Sequence, residues 1–220
     1  MLWAIPLVLK VLQFKNQSAI MMTERGDQMI AKLSHIIANF FISQKVVPEE
    51  QREVYEYGFE LSISSVIGIL IVLAIGLVSG RFWESVVFYI VFCFTRLFTG
   101  EYHASTYLRC KLTFAGLLLA VLLADWLLKE IESYYWFILH FYSLVVVCGL
   151  APIENPNKEL TERQKVKCKV ISIVAMAVWL AVMFLFGYLN SELDHIVALT
   201  LFCVANLMLL GKNNGRRTLK

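Results

Sequence analysis

Leu61–Val78 reads L-S-I-S-S-V-I-G-I-L-I-V-L-A-I-G-L-V, eighteen residues without a charge. At ~1.5 Å of rise per residue a helix of this length covers about 27 Å, close to the ~30 Å hydrocarbon core of a bilayer. The run lacks the apolar and polar alternation of a barrel strand, and in lipid only helices and closed barrels satisfy every backbone group. It therefore predicts a membrane-spanning helix and an all-α fold. The whole chain agrees. Its 220 residues are 59% apolar with a mean hydropathy of +0.67, well above the half-apolar composition of soluble domains. Its charged residues, 17% of the total, are bunched between long apolar runs.

Working outward, the same reading gives further spans at Glu84–Thr95, Leu112–Leu128, Tyr134–Leu150, Val170–Leu189 and His195–Leu210, about six crossings in all. Glu84–Thr95 is the shortest, so it needs Arg81, Phe82 and Trp83 in front and Leu97 and Phe98 behind to reach across. Basic residues are retained on the cytoplasmic side. With both termini cytoplasmic, the cytoplasmic intervals collect 18 of the 20 Lys and Arg residues, and only Arg81 and Lys129 fall outside. An odd number of spans would scatter that asymmetry. The expectation is a multi-pass cell-membrane protein with residues 96–111 on the cytoplasmic face.

The net charge of +3 follows from this bias and from attraction to anionic membrane lipid. No soluble domain interleaves basic and aromatic residues, so nucleic acid is excluded as a partner. Cys93, Cys110, Cys148, Cys168 and Cys203 show no CxxC spacing, and no disulfide framework, metal site or cofactor is expected. Residues 1–28 read as an N-terminal extension, either an over-extended start or a peripheral segment. Residues 29–220 read as a single membrane-embedded domain. Within Ile30–Val46, Ile30, Leu33, Ile36, Ile37, Phe40 and Phe41 recur at helical spacing, which predicts an amphipathic interfacial helix before the first span. Packing of that stripe on the protein's own helix ends is the equal alternative. Pro48 and the acidic Glu49, Glu50 and Glu53 then suit the start of the next helix. Asp125 stands four residues before Lys129, the spacing of a helical ion pair, and Asn206 suits helix packing.

Chemistry concentrates in Arg96–Cys110, R-L-F-T-G-E-Y-H-A-S-T-Y-L-R-C. Arg109 and Lys111 flank Cys110, and positive neighbours favour the thiolate, the form that attacks a carbonyl. His103 is the nearby side chain suited to proton transfer at neutral pH. On a straight helix the seven intervening steps separate the two α-carbons by about 10.5 Å, at the limit of side-chain reach. The backbone is therefore expected to bend, or to begin its helix, between Gly100 and Cys110. A basic cytoplasmic interval also follows from topology alone, so the residue types leave a thiol site and an ordinary loop both open.

The order Arg96, Gly100, His103-Ala104, Cys110 resembles the signature of the AgrB family, membrane-embedded cysteine peptidases of Gram-positive quorum sensing. Tyr57–Leu61, Y-G-F-E-L, and Ala151–Lys158, A-P-I-E-N-P-N-K, are similar to that family too, and the similarity runs from about Met29 to the C-terminus. The resemblance implies that Cys110 is the nucleophile and His103 its base, with Arg96 and Gly100 supporting the active segment. Glu101 departs from the pattern, standing where the family has a second glycine. The implied substrate is an AgrD-like propeptide with an amphipathic N-terminal helix, a central segment containing Cys or Ser, and an acidic tail. The implied reaction removes the tail through an acyl-thioester on Cys110 and closes a thiolactone or lactone. A homodimer is likewise implied. The basic stretch Lys165, Lys167 and Lys169 is a candidate holder of the acidic tail. The competing class is a non-catalytic polytopic peptide transporter or scaffold. No proline falls within any expected span and intramembrane charge is sparse, which favours the enzyme.

Overall fold

The computed structural model describes residues 28–99, 107–128, 130–153, 161–189 and 191–217. Residues 1–27, most of the expected N-terminal extension, lie outside them. The described residues form helices and no β-sheet: α1 (residues 28–43), α2 (Arg52–Val78), α3 (Phe82–Thr99), α4 (Tyr107–Leu128), α5 (Ser133–Leu150), α6 (Glu162–Tyr188) and α7 (Leu193–Arg217). α2 through α7 match the six expected spans in order. Five of them are long and apolar enough to cross a membrane, and α5 is the short one, with an apolar part of Tyr134–Leu150. The chain is thus an all-α polytopic membrane protein. α3 reaches the required length as the sequence suggested, by taking in Phe82, Trp83, Leu97 and Phe98.

Contacts divide the chain into two compact units, the described parts of Met1–Leu70 with Ala104–Thr113, and of Ile71–His103 with Phe114–Lys220; the division falls within α2 and α4. In the first unit α1 splits its apolar residues between two faces. Ser34 and Ala38 are buried and Ile30, Ile37 and Phe41 half-buried, whereas Met29, Leu33, Ile36 and Phe40 stay exposed at i, i+4, i+7, i+11 spacing. The inner face meets the start of α2. Phe41 stacks on Phe59 at 5.5 Å, His35 Nδ1 lies 2.7 Å from Glu56 Oε1, and Arg52 donates to Asn39 and Glu49. One face thus packs on the protein, as the alternative expected, and the other remains apolar and open. The helix stops at residue 43, earlier than the expected Val46. Its end is closed by bonds from Lys45 N–H to Ile42 O (2.8 Å) and from Val46 N–H to Phe41 O (3.1 Å). These are the paired bonds of a Schellman cap, and Lys45 takes its left-handed position with φ 57.

The second unit is built round α7. Ile196, Val197, Ala198, Leu201, Val204 and Ala205 are almost fully buried, and α3, α5 and α6 all pack on this helix. α3 and α4 meet through Phe88, Phe92 and Phe114, with ring centroids 5.3 to 5.6 Å apart. Trp179 of α6 donates its indole N–H to Thr95 Oγ1 of α3 at 3.0 Å. α5 and α7 are bridged by Tyr142 and Asn206 at 3.5 Å, which gives Asn206 the packing role its sequence position suggested. α2 ends in a second Schellman cap, with Gly80 at φ 67, Gly80 N–H on Leu77 O and Arg81 N–H on Gly76 O. Gly76 lets α3 approach: a Cβ there would lie 3.0 Å from Ser85 Cβ and 3.2 Å from Phe82 Cα.

Candidate active segment

The described part of α3 runs to Thr99 and that of α4 from Tyr107, so most of the interval in which the sequence required a break lies outside the described residues. Cys110 stands in the first described turn of α4 and is half-buried. Arg109 is exposed beside it, while Lys111 is half-buried with its Nζ 3.4 Å from where a Cβ on Gly68 would stand, so its ammonium end lies against α2. The remaining cysteines are also free thiols, with Cys93 exposed and Cys148, Cys168 and Cys203 half-buried, each within a helix.

Arg96 occupies the last turn of α3, the pole where a cation is favoured, and its guanidinium lies over the Phe92 ring at 5.0 Å. Gly100, Glu101 and His103 lie outside the described residues, as do Asn157 and Lys158. The next stretch of the resemblance, Ala151–Ile153, follows α5 and is tied to the end of α3 by a hydrogen bond from Ile153 N–H to Thr99 O at 2.9 Å. In Tyr57–Leu61, Phe59 is the side chain stacked on α1. No cluster of three or more His, Cys, Asp or Glu side chains fit to hold a metal occurs among the described residues.

Two polar groupings were not visible in the sequence. At the end of the second unit remote from Thr99, Arg81 pairs with Asp125 and with Glu84 (3.2 Å), and donates to Leu122 O at 2.6 Å. Asp125 Oδ1 lies 3.4 Å from His195 Nδ1, and the His195 ring stacks on Trp136 at 4.5 Å. Burial alone would lower the pKa of Arg81, but its bonds to Asp125 and Glu84 outweigh that and hold it above the ordinary value. Asp125 is thus engaged across helices, a role that its i,i+4 spacing to Lys129 did not suggest. The signal available was a carboxylate inside an apolar span, which in lipid calls for a partner. The second grouping is a cavity at the Thr99 end lined by Lys165 and Lys212. Of the three lysines read as tail-holding candidates, Lys165 is half-buried and lines it, while Lys167 and Lys169 are exposed.

The family model described as accessory gene regulator B matches residues 34–210. AgrB-like protein 2 of Clostridium perfringens strain 13 is 25% identical over 175 residues, covering 74% of this chain and 80% of its own. An AgrB-like protein of C. perfringens strain SM101 is 25% identical over 162 residues, covering 69% and 74%. No solved structure matches.

Proposed function

The chain belongs to the AgrB family, and from that premise we propose that it is a membrane-embedded cysteine endopeptidase that processes an AgrD-type quorum-sensing propeptide. The observation that carries this reading is Cys110. It is a half-buried thiol in the first described turn of α4, between Arg109 and Lys111, seven residues after His103 in the family's order.

In the proposed reaction the Cys110 thiolate adds to the carbonyl carbon that precedes the acidic tail. The amide C–N bond breaks, His103 gives its proton to the departing amine, and the peptide is left as a thioester on Cys110 Sγ. A Cys thiol or Ser hydroxyl of the same peptide then attacks that carbonyl, passes its proton to His103 and releases the Cys110 thiolate. The product is a thiolactone or lactone ring. Covalent catalysis suits this outcome because a thioester keeps enough of the amide's free energy to drive ring closure where water is excluded. Arg96 and Gly100 support the segment, and Glu101 takes the place of the family's second glycine. The active segment faces the cytoplasm, where a newly synthesised peptide arrives, as do both termini. α1 lies in the lipid interface with Met29, Leu33, Ile36 and Phe40 toward the acyl chains.

The test is co-expression with an AgrD-type propeptide, reading tail removal by mass spectrometry. Cys110→Ala and His103→Ala are each expected to abolish tail removal, and Cys110→Ala also to abolish a hydroxylamine-sensitive adduct on the protein. Unaltered tail removal in both variants would overturn the peptidase reading in favour of a transporter or scaffold.

A further inference from the structure

Lys111 follows Cys110 directly in the chain, and its ammonium lies against α2, 3.4 Å from where a Cβ on Gly68 would stand. We propose that Lys111 is a further catalytic residue, whose ammonium receives the negative charge that forms on the carbonyl oxygen when Cys110 attacks. The proposal rests on the peptidase reading above and adds the electrophilic partner that the reaction calls for.

The depth of this charge is the first argument. Gly68 is the eighth of the eighteen uncharged residues Leu61–Val78, about 10 Å along the helix from Leu61. An ammonium at that level stands beside the apolar part of α2, where a charge is costly to keep and ionisable groups mark function. Lys111 is half-buried there, whereas Arg109, on the other side of Cys110, is exposed. The two cations that flank the thiol in sequence thus differ in surroundings: water screens one, and helix packing holds the other.

α2 is shaped to take the ammonium. Gly68 is buried while Val66, Ile69 and Leu70 are exposed, so the position without a side chain is on the packed face of the helix. A methyl group there would only touch Nζ, but a branched side chain would take its place. Gly68, Cys110 and Lys111 all belong to the first unit.

The chemistry asks for a cation in such a place. Addition of the thiolate forms the S–C bond and moves the carbonyl π pair onto oxygen. When the intermediate collapses the pair returns and the C–N bond breaks, and ring closure passes through a second oxyanion of the same kind. The oxygen stands one bond beyond the attacked carbon, so its receptor has to lie to the side of the sulfur and not over it. Lys111 starts from the next α-carbon, about 3.8 Å from that of Cys110, and carries its charge off toward α2. A fixed donor in surroundings poor in water stabilises an oxyanion far more than one in bulk water. The ammonium acts by charge and hydrogen bond and keeps its proton throughout.

The experiment compares two reagents on the full-length protein in nanodiscs, following Cys110 by peptide mass spectrometry. p-Nitrophenyl acetate acetylates the thiol through an oxyanion, whereas iodoacetamide alkylates it at a saturated carbon and forms none. Lys111→Met is expected to slow acetylation about tenfold or more and to leave alkylation within about twofold, which also shows that the segment remains folded. Gly68→Leu, which displaces the ammonium, should do the same, and the Gly68→Leu/Lys111→Met double variant should be no slower than Lys111→Met alone. Gly68→Ala and Lys111→Arg should each stay within about threefold of the wild type in both reactions. Arg109→Met should slow acetylation by less than about threefold, because its charge is screened. Equal losses of acetylation and alkylation in Lys111→Met would mean that the cation acts on the thiol or on the fold. No loss of either would leave Lys111 a packing residue, and a loss in Arg109→Met as large as in Lys111→Met would mean a diffuse positive field. Each of these three results overturns the proposal. None of them bears on tail removal by Cys110→Ala, which tests the peptidase reading separately.

Discussion

Arg81 and Asp125 show what a single buried charge does in this fold. The Asp125 side chain is 3% exposed and faces Arg81 from the turn before α3 and His195 from α7, so removing a partner leaves its charge where water cannot reach it. Breaking such a pair costs on the order of 3 kcal/mol, whereas replacing both members by apolar residues of similar size is often neutral. Asp125→Asn and Arg81→Met are therefore each expected to lower the unfolding temperature of the detergent-solubilised protein. The Asp125→Leu/Arg81→Met double variant is expected to recover most of that loss. A double variant as unstable as the sum of the singles would show that the pair is not coupled. The sequence offered Asp125 at ion-pair spacing from Lys129 and Arg81 as a basic residue outside the cytoplasmic set. It could not join them, because their 44-residue separation, and the 70 residues from Asp125 to His195, are bridged only by helix packing. Cys110 stands out in the sequence for the opposite reason: its flanking charges are its chain neighbours.

Helix boundaries were read best where composition changes abruptly. Pro48 and the acidic residues after it marked the start of α2. The end of α1 was harder, because its stop is a cap made by Lys45, a residue with no preference for the left-handed conformation. A Cβ in that region costs roughly 1 kcal/mol, which glycine avoids. Lys45→Gly is expected to raise stability by about 0.5–1 kcal/mol, net of the entropy that glycine adds to the unfolded chain. Lys45→Ala, which loses the charge but keeps the Cβ, should gain nothing in the same thermal-unfolding measurement. Nor could periodicity tell that the α1 stripe would divide between two surfaces. Six apolar residues in four turns fit a broad single face, and the partner that selects among them is the Phe59 ring of another helix.

For the molecule as a whole, the run lengths that predicted six crossings also predict where each connection emerges. In the second unit the Thr99–Ile153 bond and the Lys165–Lys212 cavity gather the ends of α3, α5 and α7 with the start of α6, while Arg81, Asp125, Trp136 and His195 gather the opposite ends. The helices alternate in direction as the distribution of Lys and Arg requires. Reporter fusions are the check: green fluorescent protein joined after Leu150 or Lys212 should fluoresce, and alkaline phosphatase joined after Glu130 or Ser191 should be active. The reverse pattern would invert the proposed orientation. Which lysines line the cavity was not legible from sequence, because Lys165 opens α6 and Lys212 lies near the end of α7, 47 residues apart.

The central position of α7 sets an order on biosynthesis. The helix on which α3, α5 and α6 all pack is, of these, the last to leave the ribosome. Until it enters the bilayer, Trp136 lacks the His195 ring it stacks on, and the charge of Asp125 has only Arg81. α6 can already pack on α3 and α5 before then, but a chain that stops short of Leu193 leaves all three without the helix they share.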